Sequence, residues 1–440
     1  MGRCVTRTGR STPNRETSLA SQSFRWSQET RILYNNLMSQ FLRLIKKTAK
    51  VIVSRYRISV SYLIFYIRKF EALRNLLRIP RNEAVESGTI EDSSILEKIE
   101  IETINSVTIS PIENLGRKKA PIFSEFKDYS MKPISLNKIS KGIVWGAYGG
   151  AVFDQTFRII NDLSPDKWAN LHSVHTRIRL PKKKYLRGTS FLLADGEAYD
   201  NYHHWMFDVL PKLQLAKLCG VNLEDIDHFL IYAKRLPFQM ETLGYLGVPK
   251  DRIVNISEST CLLTDELIVI DPMRTFRKVP PCSVGILRNY FLQSSNHIEE
   301  PFRKIFLSRN DASFRRVTNE KALLPILSEN NFEIISFAGL SVKEQIRIVQ
   351  QSKIVVGPTG STMSNITFAN PGCKLLELFS PAFVDPFTLS ITSQVAVDHF
   401  YLVGEDESHL NEPDDSDFKR DIEIDPSQFL AAIRYLCKLK

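Results

Sequence analysis

The 440-residue sequence is short of several features that would fix its class at once. Its most hydrophobic early run, Val60 to Ile67, is far below the ~20 apolar residues needed to cross a bilayer. The first thirty residues are polar and rich in Ser and Arg, with no apolar stretch of the kind a cleaved signal peptide carries. Six cysteines (Cys4, Cys219, Cys261, Cys282, Cys373, Cys437) are scattered without CxxC or finger spacing. Several sit in apolar runs, where Cys packs as a small hydrophobe, so a reducing compartment is expected. There is no repeat of short period, and no HExxH or DxD-type acidic cluster stands around His203, His204 and Asp208, so a catalytic metal is not expected. These absences together predict a cytoplasmic chain, peripheral at most to a membrane.

The net charge of +9 suggests a polyanion partner until its distribution is read. Residues 1–80 hold 16 Lys and Arg against 3 Asp and Glu, which leaves the rest of the chain at −4. The basicity belongs to an arm, and with no RNP-like or helix-turn-helix signature a nucleic-acid partner is not expected. Residues 1–30 read as a disordered tail. Residues 31–80 mix Leu, Ile, Phe and Tyr with Arg and Lys as a basic amphipathic helical arm, suited either to an anionic membrane surface or to packing on its own domain. Residues 81–120 read as a linker with short strands at most. Beyond it, apolar strand-like runs alternate with amphipathic helical ones. The pattern predicts an α/β fold with two Rossmann-like doubly wound domains, residues 121–298 and 299–400, followed by a tail over 401–440 with a C-terminal helix. In such a pair the ligand crevice lies between the carboxyl ends of both sheets.

Four stretches can carry chemistry. The apolar run Ile354–Val356 is followed by Gly357, Pro358, Thr359, Gly360, Ser361 and Thr362 and then by a helix-compatible segment ending near Ala369. A strand, a tight turn of small residues and a helix start suit a diphosphate or carboxylate, although many such turns are plain connections. In Asn201–Leu213 (NYHHWMFDVLPKL), His204 and Asp208 stand four apart, on one face of a helix expected to bend at Pro211. A histidine oriented by a carboxylate is a plausible general base; the pair can equally brace the helix while Trp205, Val209 and Leu213 are buried. Ser308–Glu320 places Arg309, Arg315 and Arg316 in a loop leaving a strand, where guanidinium groups suit bidentate phosphate contacts or simply face water. Glu377, at the end of KLLELF, is either an acceptor for ribose hydroxyls or a solvent-facing strand end.

The order of these pieces is more specific than any of them. HWxxDxLPKL (204–213), SRx(5)RRxxNE (308–320), SxxEQ (341–345), VVGPxGSxxSNxxFxxPG (355–372) and LLELF resemble the catalytic domain of glycosyltransferase family 61 over roughly residues 185–385. The resemblance implies an inverting, metal-independent glycosyltransferase of the two-domain GT-B type. Its donor would be a nucleotide sugar, commonly UDP-linked, its acceptor a glycan or other hydroxyl, and surface polysaccharide synthesis its setting. It places Arg309 with Arg315 or Arg316 on the diphosphate, the Gly357–Thr362 turn and Asn365 around it, and Glu377 near the ribose. His204 is the implied base, oriented by Asp208, with Asp195 in reserve. Most members are expected to carry HGAG in the turn, where this chain has Thr359, Gly360, Ser361 and Thr362. The missing histidine is the main support for the alternative, a non-catalytic nucleotide- or glycan-binding protein on the same fold.

Overall fold

Two sheets organise the chain in a computed structural model that describes residues 95–164, 174, 180–273, 275, 277–292, 300–405 and 419–439. The predicted tail and basic arm, residues 1–80, lie outside the described residues. Among the described residues no helix is long and apolar enough to cross a membrane.

The first sheet has eight strands. Its parallel part is β8 (Lys184–Leu192), β9 (His228–Ile231), β10 (Ile253–Asn255) and β11 (Cys261–Ile270), in the order β11-β8-β9-β10. The other strands of this sheet are antiparallel additions: β1 (Ile95–Ile101), β5 (Ile134–Ser140), β6 (Ile143–Trp145) and β7 (Ala151–Phe153). β5 and β6 pair with successive stretches of the same β11, separated by a turn in which Lys141 takes a left-handed φ of 48°. The first half is thus a mixed sheet, and the region read as linker already contributes a seven-residue strand to it.

The second sheet is parallel throughout, in the order β13-β12-β14-β15-β16-β3. Its strands are β12 (Arg303–Leu307), β13 (Glu333–Ile335), β14 (Ser352–Pro358), β15 (Lys374–Phe379), β16 (Asp398–Val403) and β3 (Ile112–Asn114). Strands covered on both faces read as unbroken apolar runs, which is why Ile354–Val356 was recognisable. β16 is not an edge strand, because β3, again from the region read as linker, pairs outside it; β2 (Ser106–Val107) and β4 (Tyr129–Ser130) form a separate antiparallel pair.

Two short helices, α1 (Pro121–Glu125) and α2 (Tyr202–His204), precede α3 (Leu210–Leu218), α4 (Pro237–Tyr245) and α5 (Pro281–Leu292). Around the second sheet lie α6 (Glu320–Glu329), α7 (Val342–Gln350), α8 (Phe387–Val395) and α9 (Pro426–Lys438). One continuous apolar core joins the two sheets: Trp205, Phe207 and Leu213 belong to the same cluster as Leu307, Val355 and Phe368. A second core, with Phe306, Val356 and Leu376, is covered by Phe429, Ile433 and Leu436 of α9.

Between α2 and α3 the helix widens to a π-turn, Trp205–Val209. Pro211 follows at the start of α3, and having no N–H it cannot bond the carbonyl of Phe207 one turn back. The Ser283 hydroxyl donates to that carbonyl instead, at 2.9 Å. Where a bend at Pro211 was expected, the structure shows a local change of helix type, common at functional sites.

Candidate functional site

The glycine turn leaves β14 as Thr359–Gly360 and enters the 3-10 segment Ser361–Phe368 rather than an α-helix. Thr359 is fully buried, and its N–H donates to the Leu378 carbonyl at 2.9 Å. Its hydroxyl has no hydrogen-bond partner among the described residues. Gly360 is extended, with φ 161°, so backbone strain does not require a glycine here. Close approach does: a Cβ on Gly360 would lie 2.3 Å from Nη1 of Arg309.

Arg309 is held at this spot by its neighbours. Ser308 Oγ donates to the Glu320 carboxylate at 3.0 Å, and Asn310 Nδ2 donates to it at 2.8 Å. With the residues on either side anchored to α6, Arg309 is directed to the glycine turn. Asn319 pairs with Ile424 through both its amide groups, at 2.7 and 3.1 Å. The Asn–Glu end of this motif is thus a brace and not a ligand. Arg309 is 9% exposed; burial pulls its guanidinium below the usual range, with Asp311 and Asp421 opposing.

Arg315 approaches the same place. It adopts a left-handed φ of 56°, and its guanidinium lies 5.1 Å from the centroid of Phe314 and 5.3 Å from that of Phe383. Burial first, and then repulsion from Arg309, pushes it down to about 10, against the pull of Asp385 and Glu377. Nε of both arginines is buried without a hydrogen-bond partner, and neither makes an ion pair among the described residues. Two desolvated like charges side by side are costly unless an anion joins them. Arg316 points elsewhere: its guanidinium and backbone N–H are both bound to the Asp421 carboxylate, with Nη2–Oδ2 at 2.7 Å.

Glu377 does not face water. It is fully buried on β15, accepts from the Thr388 hydroxyl at 3.1 Å and lies 3.2 Å from Nε2 of His399, whose Nδ1 is 3.1 Å from the Thr392 hydroxyl. The His399 contact is off-axis, an electrostatic pairing more than an aligned hydrogen bond. His399 and the two threonines are site neighbours that no motif signalled.

On the side of the first sheet, Nδ1 of His204 is 2.8 Å from Oδ2 of Asp208, the contact expected from their spacing. Asp208 is buried, and the outer nitrogen of His204, Nε2, lies 3.9 Å from Glu197 Oε2. Asp195 supports this turn by accepting from the Glu197 N–H at 3.1 Å, and Tyr148 donates its hydroxyl to Glu197 Oε1. One turn beyond Asp208, the buried Lys212 donates to the Ala194 carbonyl at 2.9 Å. Burial pulls its ammonium below the ordinary lysine range, while Asp195 and Asp208 favour its charge. A small cavity lies here, lined by Tyr148, Gly149, Asp195, Gly196 and Lys212 among others. Glu197, Tyr148 and Lys212 were missed in the sequence; only Lys212 stood within a recognised motif.

The two sides are stitched together. Tyr202 donates its buried hydroxyl to Asn365 Oδ1 at 2.8 Å, and Asn365 Nδ2 donates to Gln345 Oε1 at 3.1 Å and to the Thr362 carbonyl at 3.2 Å. His203 Nδ1 is hydrogen-bonded to Ser364 Oγ at 2.8 Å. Asn365 is thus a buried bridge, and Gln345, just inside the Ser341–Glu344 capping box at the start of α7, anchors it. Ser361 and Thr362 remain half-buried at the head of the 3-10 segment. Among the described residues no group of three or more His, Cys, Asp and Glu is arranged to hold a metal ion.

No curated protein matches this chain. Residues 202–376 match the family model described as Glycosyltransferase 61, a span that starts at Tyr202 and takes in His204, Asp208, the Arg309–Arg315 loop and the glycine turn. The chain thus carries a glycosyltransferase family 61 domain, which supports a glycosyltransferase working on a sugar donor and an acceptor.

Proposed function

We propose that this glycosyltransferase moves a sugar from a UDP-linked donor to a glycan hydroxyl, with inversion and without a metal, in the making of a surface polysaccharide. The observation that carries the donor assignment is a pair of guanidinium groups with buried Nε atoms, Arg309 against Gly360 and the half-buried Arg315 close enough to repel it, neither with a carboxylate partner among the described residues. A diphosphate would relieve their repulsion and satisfy both orphaned Nε groups. The buried Thr359 hydroxyl offers one further donor in place of the imidazole expected of most relatives.

In the proposed reaction His204 Nε2 removes the proton from the acceptor hydroxyl, whose oxygen attacks the anomeric carbon from the face opposite the diphosphate. The bond from that carbon to the phosphate oxygen breaks, its electron pair leaves with UDP, and the two arginines meet the charge. Asp208 holds the histidine with Nε2 outward and stabilises the imidazolium that forms. The two sheets would be the two halves of a GT-B enzyme, and the Tyr202–Asn365 and His203–Ser364 contacts support a shared crevice. We place the enzyme in the cytoplasm, with residues 31–80 as its contact with anionic lipid.

Release of UDP from a panel of UDP-sugars, with and without chelator, tests this reading. Turnover is expected to survive EDTA and to fall by about 10²- to 10⁴-fold in His204→Ala, with UDP affinity retained there and lost in Arg309→Ala. Loss of turnover on chelation, or a His204→Ala enzyme as fast as wild type, would refute the metal-free or base assignment respectively.

A further inference from the structure

The turn Gly196–Tyr199 next to His204 lies outside the span matched to the family, and it is closely packed. Tyr148 takes a left-handed φ of 45°, rare for a side chain of its size. Interlocked glycines hold it there: a Cβ on Gly149 would meet the backbone N of Gly196 at 2.2 Å, and a Cβ on Gly196 would meet the Tyr148 ring at 2.5 Å. The consequence is that the Tyr148 hydroxyl reaches Glu197 Oε1, while the Glu197 N–H is fixed on Asp195. A backbone outlier of this kind is retained where the surrounding structure enforces it, commonly at binding sites.

This packing places Glu197 Oε2 3.9 Å from His204 Nε2. That distance exceeds a hydrogen bond by about an ångström. It matches the span of two adjacent sugar hydroxyls, each hydrogen-bonded to one of the two atoms, because gauche hydroxyl oxygens on neighbouring carbons lie about as far apart as a hydrogen bond is long. We propose that Glu197 is an acceptor-binding residue that selects a vicinal diol: one hydroxyl faces His204 Nε2 and is glycosylated, and its neighbour donates to Glu197 Oε2. This inference rests on the assignment of His204 as the base.

The probes are methyl glycosides that accept sugar and their monodeoxy counterparts lacking the hydroxyl next to the one glycosylated. Wild type is expected to prefer the diol by about 10- to 150-fold in kcat/KM, the range for losing a hydrogen bond to a charged group. In Glu197→Ala that preference should shrink to within a few-fold, because the diol and deoxy acceptors then lose the same partner. Tyr148→Phe, which keeps the carboxylate but frees it to move, should give an intermediate preference with a raised acceptor KM and an unchanged donor KM. Equal use of diol and deoxy acceptors by wild type would overturn the inference and indicate a single hydroxyl bridging both atoms. A preference undiminished in Glu197→Ala, with the variant folded by its melting transition, would overturn it too. If His204→Ala transfers at the wild-type rate, the base assignment fails first and this proposal with it.

Discussion

Gly360→Ala isolates the contact between the glycine turn and Arg309. The new Cβ would stand 2.3 Å from Nη1 and 2.8 Å from Cζ of Arg309. Ordinary contact distances of about 3.5 Å then require the guanidinium to withdraw by roughly 1 Å. The backbone gives no reason for a folding defect, since φ of 161° is open to alanine and the clash is with the end of a side chain. The melting temperature should therefore move little. The loss should fall on the donor: one misplaced charge-assisted hydrogen bond costs about 1.5–3 kcal/mol, or roughly 10- to 150-fold in the UDP dissociation constant. Calorimetric titration of UDP into wild type, Gly360→Ala, Arg309→Ala and the double variant measures it. If the substitution acts through Arg309, the double variant should bind no more weakly than Arg309→Ala alone, a strongly non-additive cycle. Wild-type affinity in Gly360→Ala, or additive losses in the cycle, would refute the placement of the diphosphate against Arg309.

Adjacent arginines give a second comparison. Arg315→Ala should weaken UDP by about tenfold or more, whereas Arg316→Ala, which removes a partner of Asp421 only, should leave UDP binding within twofold; equal losses would contradict the assignment. Asp154 supplies a pH test. Burial opposes its ionisation, but the Arg158 N–H, the Thr156 hydroxyl and the Arg158 guanidinium outweigh it and hold its carboxyl below the ordinary aspartate value of 3.8. A depressed folded-state pKa gives stability that is present above the unfolded value and lost as pH falls through the folded one. Asp154→Asn should therefore cost about 1–3 kcal/mol at pH 7, and urea unfolding should show the gap to wild type closing below about pH 4; a gap independent of pH would count against this.

Much of the parallel framework was legible because strands buried on both faces must be apolar. Ile354–Val356 and KLLELF announced β14 and β15. β5 escaped because two of its buried residues, Ser135 and Asn137, are polar, and Asn137 is satisfied by Asp271 at 2.7 Å. α8 escaped for a similar reason: Thr388, Ser390 and Thr392 are buried there, with their hydroxyls bonded locally or to Glu377, Tyr129 and His399. The π-turn had no signal beyond Pro211. Spacing found His204 with Asp208, a local contact on one helix face. It could not find Glu197 at His204 or His399 at Glu377, which are set by tertiary packing and sheet register, and it could not decide between Arg315 and Arg316, which the left-handed backbone at Arg315 separates.

The pairing order of the first sheet bears on how the enzyme can be dissected. β8 is the strand that joins β11 to β9, and all of it precedes residue 202, as do β1, β5, β6 and β7. The second sheet draws β3 from residues 112–114 and is covered by a helix that begins at residue 426. A fragment cut to the family-matched span would hold the proposed base and the arginine pair while lacking the strand that closes one sheet and the helix that shields the other. A fragment meant to fold as this chain does therefore has to carry the flanks together with the motifs.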